Sequence, residues 1–282
     1  MQRAITGLDH LIVGVRDLEA ARGIWARLGF NSTPRGRHVG WATANYCIMF
    51  EDDYLELLGI VDPAGFTNGL DERLAAGEGL MGLALGTSDA AQTAAAWRAA
   101  GLASARTAAL GRLLESGDEP VELRFETVIL DAAERTGLGI FACRHLTPGP
   151  MRRPAWLRHP NGATRIAGLT VVADDIEPLR AAAERLVGSA AMSRTDSLWT
   201  IQTGTAPVIL CSPQDALLLH PDWEPSAGAG PTLHQILEIG VTDLEETARF
   251  LALQHVSCRR GQAGALLVEP ESATGVDLAF VA

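Results

Sequence analysis

The chain of 282 residues is 47% hydrophobic and 20% charged, which fits about two folded domains and excludes the disordered, collagen-like and coiled-coil classes. Its 34 acidic against 23 basic residues leave a net charge of −11, and no stretch supplies the basic face that phosphate binding needs, so nucleic acid is not an expected partner. Every basic residue is arginine. With no lysine, a Schiff-base lysine, a phosphate-loop lysine and a lysine general base are all excluded.

The opening residues, MQRAITGLDHLIVGV, read as a strand rather than a secretory leader. No window reaches the ~18–20 apolar residues of a membrane span, so no membrane partner and a cytoplasmic location are expected. Cys47, Cys143, Cys211 and Cys258 lie far apart with no Cys-x-x-Cys pair, and reduced thiols are expected.

Along the chain a pattern recurs four times. From Leu11 it runs LIVGVRDLEAA, from Leu83 LALGTSDAAQT, from Leu169 LTVVADDIEPL and from Leu237 LEIGVTDLEET. Each is an apolar, strand-like run with an aspartate six positions on: Asp17, Asp89, Asp175 and Asp243. There the period changes to that of a helix. After Asp17, the residues Leu18, Ala21, Ile24, Trp25 and Leu28 share one helical face. Aspartate is a good N-cap, since its carboxylate accepts from free amides of the first turn. Asp89 with Gln92, and Thr242 with Glu245, have capping-box spacing. Gly29 and Gly101 stand where helix-ending glycines belong.

Shorter β-rich pieces follow each helix. They are HVGWAT, NYCIMFE and DYLELLGI in the first copy, and GRLLES, VELRFETVIL and GLGIFACRHL in the second. SLWTIQTG and APVILCS follow the third helix; CRRGQAGALLVEP and GVDLAFVA follow the fourth. The unit is βαβββ. The segment TPGPMRRPAWLRHPNGA, rich in Pro, Arg and Gly, divides the chain into a domain over 1–146, a linker over 147–163 and a second domain over 164–282.

A βαβββ unit repeated in pairs resembles the vicinal oxygen chelate superfamily. GLDHLIVGVRDLEAA, GRHVGWATANYCIMFEDDYLELLGI and HLTPGPMRRPAWLRHPNGA are similar to its glyoxalase-like branch, over most of residues 7–166. The resemblance implies an α+β fold, with four βαβββ modules paired into two domains of cupped mixed sheet. It also implies a small-molecule substrate and one divalent metal ion (Zn, Ni, Co, Mn or Fe) held by the modules' first and last strands. His10 in LDHLIVGV matches the first-strand ligand and Glu56 in DYLELLGI the last-strand carboxylate. Strand alternation places Leu8, His10, Ile12 and Gly14 on one face. In GIFACRHL, either Phe141, Cys143 or His145 faces inward with Glu56; His145 would complete a set of two histidines and one carboxylate. The positions matching His10 in later copies are Gly82, Gly168 and Ile236, none of them a ligand. The second half is therefore expected to be a degenerate partner that caps or dimerises, with His234 and Asp277 as partial substitutes.

Around the ligands, Glu56 itself or His38 is the expected base, since imidazole titrates near neutral pH. Trp41 and Asn45 are expected along the pocket, although core packing also suits Trp41. Arg124 in VELRFETV would fork onto a substrate carboxylate, or else pair with Glu122 or Glu126. His159 in LRHPNGA reads as structural, and ESGDEPVE as an acidic hairpin loop. The expected function is a divalent-metal-dependent, glyoxalase-like lyase or isomerase acting on a small oxygen-chelating substrate. The alternative is a metal-free, resistance-type protein that sequesters a small molecule, with a non-haem iron dioxygenase as a further variant. An internal pair of modules or a homodimer would complete the site.

Overall fold

The computed structural model describes residues 4–117, 119–134, 139–224 and 233–282; Asp118 of the acidic loop and Gly137–Leu138 ahead of IFACRH lie outside them. Strand β1 (Ile5–Val15) leads into helix α1 (Leu18–Arg27), then β2 (Gly36–His38), β3 (Thr43–Met49) and β4 (Tyr54–Ile60). After a short helix, α2 (Leu70–Ala76), the unit repeats as β5 (Gly79–Thr87), α3 (Ala90–Ala99), β6 (Arg106–Leu114), β7 (Val121–Ile129) and β8 (Ile140–His145). These eight strands close into a barrel ordered β1-β4-β3-β2-β6-β7-β8-β5. β1 runs parallel to β4 and β5 parallel to β8, and the remaining pairs are antiparallel. The modules meet at two seams, β1 on β5 and β2 on β6.

The second half follows the same plan: β9 (Ala163–Val172), α4 (Glu177–Val187), β10 (Met192–Thr195), β11 (Leu198–Ile201) and β12 (Val208–Cys211). Helix α5 (Pro213–Leu219) intervenes before β13 (His234–Val241), α6 (Leu244–Leu253), β14 (Cys258–Arg260), β15 (Leu266–Val268) and β16 (Asp277–Val281). Here the sheet stays open, in the order β10-β11-β12-β9-β13-β16-β15-β14. Strand length accounts for the difference. β6 and β7 span nine residues each and β6 reaches β2, whereas β14 and β15 span three. The fold is thus α+β, with two eight-stranded mixed sheets built from paired modules.

Three of the four repeat aspartates cap helices. Asp17 accepts from the amide of Ala20 at 2.9 Å, Asp89 from Gln92 at 2.9 Å, and Asp243 from Glu245 at 2.8 Å and Glu246 at 3.0 Å. The cap of α6 is therefore Asp243, not Thr242. The third copy departs from the pattern: α4 starts behind Ile176, and Asp175 reaches only the amide of Glu177, at 3.0 Å. Three positions beyond Asp175 stands Pro178, which has no N–H to offer.

The two halves share one hydrophobic core, running from Leu8, Trp25 and Trp97 to Leu169, Leu237 and Phe280. The Trp25 indole donates to Thr274 Oγ1 at 2.9 Å and the Trp97 indole to the Leu186 carbonyl at 2.9 Å, so both tryptophans satisfy their N–H across the interface. Segment 147–163 is packed down: Met151 sinks into the barrel's own core, and Arg152 donates to the carbonyls of Phe50, Glu51 and Asp52. His159 accepts from the Asn31 amide at 3.1 Å and donates to the Met49 carbonyl at 3.0 Å. Among the described residues no helix is long and apolar enough to cross a membrane.

Candidate active site

The site begins with a fault in β1. Its pairing with β5 slips between Leu8 and His10, so Asp9 is the extra residue of a β-bulge. Leu8 consequently joins the core shared by the two halves, while Asp9 and His10 act together; the simple alternation that grouped Leu8 with His10 does not hold. The Asp9 carboxylate accepts from His10 Nδ1 at 2.6 Å and from His145 Nε2 at 3.0 Å. Burial alone would raise its pKa, yet the two imidazoles hold the carboxyl well below the usual range.

His10 stacks on Tyr54, its neighbour across β1 and β4, with ring centroids 4.5 Å apart, and meets the edge of Phe141 at 5.6 Å. With Nδ1 donating to Asp9, Nε2 points towards Glu56 and lies 3.5 Å from Oε2. Glu56 on β4 is buried and accepts a hydrogen bond from the Asn45 amide on Oε1. Burial again works to raise it, but His10, His38, Arg112 and Asn45 keep the carboxyl below its ordinary value. His38, at the end of β2, shares a 2.8 Å hydrogen bond with the Thr43 hydroxyl and brings Nε2 to 3.7 Å from Glu56 Oε1. Burial drives its pKa down to about 4, so the ring is neutral at pH 7.

His10, His38, Thr43 and Glu56 form the polar floor of a cavity of about 330 Å³, much of whose wall is apolar (Ile12, Leu58, Met81, Phe125 and Phe141), with Arg73 and Arg106 also reaching its lining. Trp41 lies on its lining, edged by Phe66 and tilted against His38. Three expectations need correction. Asn45 does not line the cavity; it lies behind Glu56 and positions it. His145 faces Asp9 rather than Glu56, because the bulge brings a carboxylate between them. Arg124 points outwards, because Leu123, Phe125 and Thr127 take the buried face of β7. It pairs with neither Glu122 nor Glu126, and Arg144 pairs with Glu126 at 3.0 Å instead.

The arginine at the floor is Arg112, on β6, 3% exposed. Its signal was an arginine in phase with Leu110 and Leu114, on a strand that begins at Arg106 rather than at Gly111. Asp9 had no comparable signal, since a bulge leaves no periodic trace. Among the described residues, the single set of three potential metal-ligand atoms all within 4.8 Å of one another is Asp9, Cys143 and His145. In that set, Asp9 Oδ1 is already committed to two imidazoles and burial pushes the Cys143 thiol well up.

The second half has a cavity of about 750 Å³, lined by Trp223, Ile236, Glu238, Asp277 and the rim residues Arg259 and Arg260. Burial raises the carboxyl of Asp277 to about 6 and that of Glu238 above its ordinary value. His234 packs edge-on against Trp223, with centroids 5.4 Å apart, and among the described residues neither His234 nor Asp277 joins a set of three ligand atoms.

The chain's relatives agree with this architecture. A hypothetical protein from Staphylococcus aureus matches it over 97% of this chain and 98% of its own, at 11% identity and a TM-score of 0.67. A mutant of 4-hydroxymandelate synthase from Streptomyces coelicolor matches over 98% and 92%, at 14% identity and a TM-score of 0.60. A fusion of a xylose isomerase-like TIM barrel with 4-hydroxyphenylpyruvate dioxygenase matches over 99% of this chain and 48% of its own, at 16% identity and a TM-score of 0.58. At these identities the likeness concerns the fold. No curated protein matches in sequence. The family described as a glyoxalase-like domain matches residues 8–187, well over half of the length. On that match and this fold, the chain belongs to the glyoxalase-like domain family of the vicinal oxygen chelate superfamily.

Proposed function

We propose that the first-half cavity is the active site of a divalent-metal-dependent lyase or isomerase, which moves a proton on a small substrate bearing neighbouring oxygens. The observation that carries this reading is the pairing of His10 with Glu56. Nε2 faces Oε2 at 3.5 Å, while Asp9 grips the far nitrogen of the same ring at 2.6 Å. Carboxylates commonly hold ligating histidines from behind in this way. Two ligand atoms each ~2.0–2.2 Å from one ion stand roughly 3–3.5 Å apart, so the spacing of this pair suits one ion. His38 would be the third donor in place of His145; with a pKa of about 4, its lone pair suits a cation better than it suits carrying a proton at pH 7.

Such an ion, when bound, would polarise the substrate oxygens as a Lewis acid. Glu56, ionised and aimed by Asn45, would take the proton from the substrate carbon and return it. The apolar walls keep water from competing for it. A metal-free binding role is the second reading. It is favoured by the spacing of the ligand atoms, since His10, Glu56 and His38 do not all lie within 4.8 Å of one another.

The test is metal content by plasma mass spectrometry on wild type, His10→Ala, Glu56→Ala and Cys143→Ser. Near-stoichiometric metal that is lost with His10 and Glu56 but kept in Cys143→Ser supports the reading. Metal lost only in Cys143→Ser would move the centre to Asp9, Cys143 and His145. Wild type that stays metal-free when divalent ions are supplied would leave the binding role.

A further inference from the structure

We propose that the first-half cavity selects a substrate with an apolar, single-ring-sized body and a carboxylate head, and that Arg112 recognises the head. This deepens the reading of the cavity as the substrate site and rests on it. A guanidinium has five N–H donors and remains charged when buried. Arg112 uses two groups on soft acceptors: Nη1 donates to Cys47 Sγ at 3.2 Å and Nη2 to Met151 Sδ at 2.9 Å. Nε is buried with no partner. The Cys47 thiol is itself neutral, since burial pushes it up to about 11.

Arg112 therefore faces the cavity as a buried cation that forms no ion pair with a carboxylate among the described residues. Glu56 feels its field, but the two side chains form no ion pair, and Glu56 makes its own contacts with His10, His38 and Asn45. Burying an unpaired charge is among the most unfavourable arrangements a fold can hold, and a ligand anion relieves it. The fork is also fixed in place. Its stem lies over Gly36, where a Cβ would come within 2.8 Å of Arg112 Cδ, and its guanidinium lies 5.3 Å from the Phe125 ring centroid. A planar, immobile fork matches a carboxylate better than it matches a neutral amide. The apolar part of the remaining lining is Ile12, Leu58, Phe125, Ile140 and Phe141; Arg73 and Arg106 also reach it, but Arg73 donates to the Met81 carbonyl and Arg106 pairs with Asp131. A volume of about 330 Å³ holds one ring with a short side chain.

The experiment is isothermal titration calorimetry of the full chain with 3-phenylpropionate and, separately, 3-phenylpropanamide, in the presence of a chelator so that no metal can hold the head. Wild type is expected to bind the acid roughly tenfold to a hundredfold more tightly than the amide, as charge-assisted hydrogen bonds imply. In Arg112→Met, an apolar replacement of similar length next to Met151, the amide should bind as before and the acid no better than the amide. Equal affinities in wild type, a preference that survives Arg112→Met, or no binding of the acid at millimolar concentration would each overturn the proposal; the wild-type comparison stands even if the variant misfolds. A preference that appears only on adding a divalent ion would place the head on the metal, which overturns the role of Arg112 and leaves the metal-dependent reading intact. A preference that persists in chelator and in His10→Ala supports Arg112 whether or not the metal reading holds.

Discussion

The two halves of this chain apply one βαβββ plan to opposite ends. In the first, the sheet closes, and closure brings partners to buried charges from several strands at once. Glu56 receives His10 from β1, His38 from β2 and Asn45 from β3, while Asp9 receives His10 and His145. Both carboxyls are held below their ordinary values although both are buried. In the second half the sheet stays open, Gly168 and Ile236 stand where the first half has His10, and burial raises Asp277 and Glu238. The cavity there is the larger of the two, about 750 against 330 Å³. Size is therefore a poor guide to chemistry here; what separates the two cavities is whether burial or the neighbouring groups win at their carboxyls. The contrast does not extend to every buried group of the first half, where burial raises Asp53 to about 7.

The largest expected effect tests that contrast directly. Glu56→Gln should lower kcat/KM, once a substrate is found, by roughly 10²–10⁴-fold, as loss of a general base does. Asp277→Asn and Glu238→Gln should change it less than twofold. Steady-state kinetics on the three variants decides, and comparable losses in the two halves would dissolve the distinction.

Next in size is the shared core. Trp25→Ala removes a fully buried side chain, together with its hydrogen bond to Thr274 in the other half, and should destabilise the protein by about 3–5 kcal/mol. Urea unfolding followed by far-UV circular dichroism should show one cooperative transition moving as a unit. Two transitions, only one of them shifted, would mean the halves unfold independently.

The same small substitution can then be made in both halves. In Gly36→Ala the added carbon would run into Asn45 Oδ1 and come within 2.8 Å of Arg112 Cδ, so stability should fall by about 1–3 kcal/mol, with Glu56 loosened. In Gly168→Ala its one tight contact would be the far end of Glu238, at 3.0 Å, with Pro207 at ordinary distance, and stability should fall by less than about 1 kcal/mol. Thermal melts of the pair would reverse this order if the second half were the more tightly built.

The smallest effect is a difference in sign with pH. Asp9 has a lowered pKa in the fold, so its stabilisation is present above the unfolded value near 4 and is lost as pH falls further. Asp9→Asn should therefore be less stable than wild type at pH 7, with the deficit shrinking below about pH 4. Asp277 is raised to about 6, so the folded state takes up its proton first and wild type gains stability as pH falls from about 7 to about 4. Asp277→Asn should accordingly be the more stable protein at pH 8 and lose that advantage below about pH 4. Denaturant titrations at several pH values would show slopes of one sign if both carboxyls were held alike.

The repeat, the helix starts at Asp17, Asp89 and Asp243 and the family resemblance were legible in the sequence, because periodicity and capping are local properties that each module writes out for itself. His10 and Glu56 were picked out only through the family resemblance of their strands, and the structure brings them to 3.5 Å of one another. Other features were decided only by the tertiary structure. The bulge that aligns Asp9 with His10 depends on how β1 meets β5 across the barrel. It turned His145 from Glu56 to Asp9, and no alternation within β8 could reveal that. Which arginine reaches the floor depended on strand phase: Arg112 shares the inward face with Leu110 and Leu114, whereas Arg124 lies opposite Phe125 and Leu123. Closure itself, which brings His38 from β2 and Arg112 from β6 to one cavity, depends on whether β6 extends far enough to meet β2. Contacts between strands far apart in the chain have no period to read, so only the assembled sheet could settle them.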